Sequence, residues 1–81
     1  MMRQSGILIG FLAFQGSAYG LGTNEVAAII EAEYPGAVIT EIDRETYRGK
    51  KVFEVDFQHD GEALEAIVGL DGEIIKVQID D

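Results

Sequence analysis

Acidic side chains are the groups in this chain best placed to do chemistry. Five of them stand at alternating positions: Glu41 and Asp43, Glu54 and Asp56, and Glu65. Carboxylates crowded together can hold a cation, meet a basic protein surface, or share protons. Catalysis would need partners that the sequence does not supply. His59 is the single histidine and precedes Asp60-Gly61, so it reads as a turn residue rather than a base or a metal ligand. Cysteine is absent, and the only serines, Ser5 and Ser17, lie in the apolar leader. No glycine-rich phosphate loop precedes a helix. The expectation is a protein that is not an enzyme, with no catalytic residue, cofactor or metal centre.

Charge narrows the partners further. Fifteen acidic residues stand against 6 basic ones, a formal net charge of −9 over 81 residues. Nucleic acid and anionic lipid headgroups repel such a chain, whereas basic protein surfaces and hard cations attract it. Without cysteine there is neither a disulfide nor a thiolate metal site, nor the cysteine of a lipoprotein signal.

The elements that would position the carboxylates can be read from apolar period and turn residues. Thr23 is placed as an N-cap, with Asn24 and Glu25 in the first helical turn. Val26, Ile29, Ile30 and Tyr34 then recur at helical spacing, and Pro35-Gly36 ends the helix. Four alternating segments follow, at about 37–46, 51–58, 62–70 and 73–79. Asp60-Gly61 and Asp71-Gly72 are strong type I′ hairpin signals, and the turn around Tyr47-Arg48-Gly49-Lys50 reads as looser.

Centring the hairpins on those turns sets the pairing. One row becomes Ile42, Val55, Ala66 and Val77, the next Thr40, Phe57, Leu64 and Ile79, and a third Arg44, Phe53, Val68 and Ile75. Most of the large apolar residues then share one face, a result that a one-residue slip would destroy. The fold expected is α+β: one short N-terminal helix on one face of a four-stranded antiparallel meander of order 1-2-3-4. The opposite face would carry Glu41, Asp56 and Glu65 side by side, with Asp43 across from Glu54. Ile67, Val52 and Ile74 would form a modest apolar strip beside Lys76. A binding surface for a partner is expected at Glu41, Asp43, Glu54, Asp56, Glu65, Ile67 and Ile74. The first and last strands would leave edges open to strand addition. Truncation of Val52, exposed in this register, should be mild.

Residues 1–20 read as a secretory signal. Arg3 precedes the apolar run 6–14, and Gly16 and Ala18 fit a cleavage before Tyr19, with cleavage after Gly20 the second choice. The apolar run is about half of what a membrane-spanning helix needs, so no stable span is expected after cleavage. The domain is accordingly placed at 21–81, and the protein in the periplasm or secreted.

Tyr34–Ala37, Val52–Asp56, Glu65–Leu70 and Asp71–Val77 together resemble a PepSY domain. The helix ending in Tyr-Pro-Gly-Ala and the final Asp-Gly-Glu-Ile-Ile-Lys-Val carry the likeness, which extends over about 23–80. The resemblance implies a helix-and-sheet module without catalytic residues, of a kind found in peptidase propeptides and small exported bacterial proteins. It implies a protein partner, a peptidase or another envelope protein, that the module inhibits or modulates. The alternative is a stand-alone structural or sensory envelope domain whose acidic sheet binds cations or a basic component.

Overall fold

The computed structural model describes residues 21–80, so the leader and the cleavage sites assigned to it lie outside the described residues. One helix, α1 (Thr23–Glu33), precedes four strands: β1 (Val38–Tyr47), β2 (Lys50–His59), β3 (Glu62–Gly69) and β4 (Ile74–Ile79). They pair antiparallel in the order β1-β2-β3-β4, the meander expected from the turns. No helix among the described residues is long and apolar enough to cross a membrane.

The helix begins one residue earlier than its threonine suggested. Gly22 is the N-cap and Thr23 already helical; the Gly22 N–H donates to Glu25 Oε1 at 2.9 Å, which occupies one donor of the first turn. At the other end the Ala37 N–H donates to the Tyr34 carbonyl at 2.9 Å across Pro35 and Gly36. Gly36 has φ 89, so proline followed by a left-handed glycine makes a type II turn into β1. His59 braces this exit from the far end of β2. Its Nε2 lies 3.1 Å from the Pro35 carbonyl, and its ring meets the Tyr34 ring edge-on at 5.4 Å. The solitary histidine is thus a strut between helix exit and sheet.

The turns differ from expectation in which one is tight. Arg48 (φ 54) and Gly49 (φ 81) are both left-handed, as are Asp60 (φ 53) and Gly61 (φ 82), so both hairpins close with the two-residue type I′ geometry. The 47–50 turn read as loose is therefore tight, with Tyr47 opposite Lys50. The Asp71-Gly72 turn is the wider one. The Gly72 N–H donates to the Gly69 carbonyl at 2.9 Å and the Gly69 N–H to the Glu73 carbonyl at 2.8 Å, enclosing Leu70, Asp71 and Gly72. Asp71 Oδ1 accepts from the Glu73 N–H at 3.0 Å, and Gly72 alone takes positive φ.

That three-residue loop corrects part of the register. Leu64 faces Ile79 and Ala66 faces Val77 as expected, but Val68 faces Ile74 and not Ile75. The extra loop residue shifts the pairing by one, and a β-bulge at Ile75 restores it. Ile74 therefore packs against the core under the helix, while Ile75 is 45 % exposed. A second bulge, at Thr40, brings Ile39 opposite Phe57 in the place assigned to Thr40. The Thr40 hydroxyl instead donates to the Asp56 carbonyl at 3.1 Å.

The core lies between α1 and the inner face of the sheet. Val26, Ile29 and Ile30 from the helix meet Phe53, Val55 and Phe57 from β2 and Ala66 and Val68 from β3. Tyr34 closes one end against Phe57, ring centres 5.2 Å apart, and Arg44 lies 5.2 Å over the Phe53 ring. A helix of three turns is marginal alone, and this apolar face is what holds it to the sheet.

The candidate acidic face

Strand alternation sends Glu41, Asp43 and Glu45 of β1 to the face away from the helix, together with Glu54 and Asp56 of β2 and Glu65 of β3. Glu41 is directly opposite Asp56, Asp56 opposite Glu65, and Asp43 opposite Glu54, as the turn positions predicted. The carboxylate oxygens of Asp43, Glu45 and Glu54 approach within 4.8 Å of one another. Glu45 escaped the sequence reading, although its place two residues after Asp43 on the same strand was a sufficient signal. Among the described residues, no Lys or Arg lies within 4 Å of these groups.

Compensation is partial. Glu65 Oε1 accepts a hydrogen bond of 2.9 Å from Gln78 Nε2 on β4. Asp56 Oδ1 is buried and accepts none among the described residues. Burial raises the Asp56 carboxyl above its ordinary 3.8, and the negative charges of Asp80 and Asp43 raise it further. Glu41 is raised above its ordinary 4.5 chiefly by Asp43, whose carboxyl can share its proton and repels its anion. Slight desolvation and the charge of Asp56 act in the same direction.

These shifts give stability a pH dependence whose sign can be worked out. A carboxyl with a raised folded-state value binds its proton more readily folded than unfolded, so ionisation opposes folding. Stability should rise as pH falls from neutral through the raised values of Glu41 and Asp56, and level off below their ordinary 4.5 and 3.8. Salt should stabilise the chain at neutral pH by screening like charges. Asp56→Asn should stabilise it too and flatten the pH profile. Urea denaturation across pH and salt, with this variant alongside, checks all three. A profile that falls between neutral pH and the carboxylate range would contradict them.

Of the partner-binding residues expected from sequence, the fold brings together Glu41, Asp43, Glu54, Asp56, Glu65 and Ile67. It does not bring Ile74, which lies on the inner face because of the wider turn. Val52 is on the outer face as expected but only 2 % exposed, so the apolar strip has no open valine. Tyr47 of β1 and Lys76 of β4 meet across the intervening strands, with Lys76 Nζ 6.0 Å from the Tyr47 ring centre. Gly69, opposite Val52, has no side chain, and Asp71 Oδ1 and Ile75 Cδ1 lie over it.

The arrangement offers anionic groups and hydrogen-bond acceptors on a flat, rigid support. Comparison with protein-family models, with characterised proteins and with solved structures returned no match.

Proposed function

We propose that this chain is a non-enzymatic binding module, PepSY-like in build, that docks a basic protein partner on the acidic outer face of its sheet. The observation that carries the proposal is the carboxylate ladder of Glu41, Asp43, Glu54, Asp56 and Glu65, held in facing rows with no Lys or Arg within 4 Å among the described residues. Like charges across strands destabilise a sheet. A basic partner would relieve that repulsion on binding and would associate fast at low salt. Regulation of a peptidase is the specific version implied by the resemblance, and the leader argues for action in the periplasm or outside the cell.

The test is capture from envelope extract with the chain and with the combined variant Asp43→Asn, Glu54→Gln, Asp56→Asn. A basic partner should be retained stoichiometrically by the first, released by salt, and lost by the variant while its circular dichroism is unchanged. Capture of the same partner by both chains would remove the acidic face from the function. The convergence of Asp43, Glu45 and Glu54 favours a second reading, a divalent cation held on the sheet. Calcium takes about 6–8 oxygens, more than three carboxylates on a flat sheet readily give. Calorimetric titration with Ca²⁺ and Mg²⁺ separates the two: saturable heat that Glu54→Gln abolishes would favour the cation.

A further inference from the structure

The outer face has a second end of opposite character. A groove of about 700 Å³ lies where the Arg48-Gly49 turn approaches the loop between β3 and β4. Its volume is that of a small-ligand or short-peptide site. Val52 and Gly69 are buried beneath it, and Leu70 and Ile75 stand exposed beside them, 44 % and 45 % open. The wider loop creates this wall, since pairing Val68 with Ile74 on the inner face leaves Ile75 on the outer one. An exposed isoleucine and leucine around a buried valine make an apolar seat without an occupant from the described residues.

The charges around the seat reverse the sign of the rest of the protein. Arg48, Lys50 and Lys51 line the groove, and Lys76 reaches its margin at Tyr47. Those are four of the five Lys and Arg in residues 21–81, gathered at one end of a chain of net charge −9. Asp71 and Glu73 also line it, but one carboxylate oxygen of Asp71 is already engaged by the Glu73 N–H. The Arg48 guanidinium lies 5.4 Å over the Tyr47 ring, which holds it beside the groove.

We propose that this groove binds the free C-terminal carboxylate of a peptide ending in an aliphatic residue. The last side chain would sit between Leu70 and Ile75, above the covered Val52, and the carboxylate would face Arg48 and Lys50. An anion fixed to the end of a short apolar group matches a seat with cations at one side. Arginine also gives a planar carboxylate two parallel donors. The site adjoins the acidic face, whose Glu45 lies opposite Val52, and would take a ligand of opposite charge. Either proposal can therefore fail alone.

The test uses the full chain and a dye-labelled pentapeptide ending in Val-Leu, with a free carboxylate in one version and an amide in the other. Fluorescence anisotropy at low salt should show saturable binding of the acid below about 1 mM, and at least about tenfold weaker binding of the amide. Arg48→Glu with Lys50→Glu should abolish binding, and Ile75→Asp should do so at unchanged circular dichroism. Glu31→Gln, on the exposed side of the helix, should bind as the parent does. Equal binding of acid and amide, or no saturation below 1 mM, overturns the proposal. So does binding of laurate at Ile75 without binding of the peptide, which would make the occupant a fatty acid. Sedimentation of the parent as a dimer that Ile75→Asp dissociates would assign the groove to a second copy.

Discussion

Phe53→Ala or Phe57→Ala should leave this chain largely unfolded in dilute buffer. Both rings are essentially inaccessible, and each touches the helix or its exit as well as the neighbouring strands. Deleting a buried phenyl ring costs about 3–5 kcal/mol, the lost transfer energy together with the cavity left behind. A domain of this size has a net stability of only some 5 kcal/mol, because it buries a smaller share of its surface than a larger one. Loss of near-ultraviolet signal and of the cooperative urea transition would report the effect. Substitution of the exposed neighbour Gln58 by alanine should leave the transition midpoint nearly unchanged. A cooperative, near-parental transition for either phenylalanine variant would mean that the helix does not pack on this face.

Val52→Asp should be comparably damaging, although Val52 points away from the main core. At 2 % exposure it is as enclosed as the phenylalanines, on the outer face beside Tyr47, Gly69 and Ile75. A carboxylate there would lose its hydration and face Glu45 across the strand pair, with Glu54 two positions along. An unpaired buried charge of this kind costs more than about 3 kcal/mol, or titrates to its neutral form. Val52→Ala should cost about 2 kcal/mol, the worth of two buried methyl groups and a partial cavity. Urea midpoints of both variants check the pair. An alanine variant indistinguishable from the parent would mean that Val52 is not lastingly enclosed. The mild effect expected for an exposed valine is thereby replaced by a substantial one.

The difference between those two residues marks how far a sequence pattern reaches. Alternation along β2 separates Phe53, Val55 and Phe57 from Val52, Glu54 and Asp56 with no knowledge of the rest of the chain, because successive strand residues point to opposite sides. The Arg48-Gly49 and Asp60-Gly61 turns then fix the partners of β2, since each accommodates the two left-handed residues that a type I′ hairpin needs. From these local facts come the strand order, the helix-covered face, and the contacts of Glu41 with Asp56 and Asp56 with Glu65. Exposure does not follow in the same way. Whether Val52 is open depends on residues such as Leu70 and Ile75, which gather around it from beyond the next strand and are distant from it in any local pattern.

Asp71-Gly72 shows the other boundary. The same dipeptide suits a two-residue I′ turn and a three-residue loop with glycine left-handed at its end, so its chemistry alone does not choose. The choice was made in three dimensions. A Cβ placed on Gly72 would stand 3.4 Å from Ile29 Cδ1 and 3.6 Å from Leu21 Cδ1, so the loop lies against the start of the helix. With the longer loop, Ile74 joins the core and Ile75 falls on the outer face, and the bulge then restores the expected register from Lys76. The sequence by itself determined the fold class, the pairing of β1 with β2 from Glu41 onward and of β2 with β3, and the crowding of the carboxylates, because strand alternation and turn positions are local. Only the tertiary structure decided that Val52 is covered, that Ile74 is core and that Ile75 walls a basic groove. Those outcomes depend on which distant side chains fill the same space.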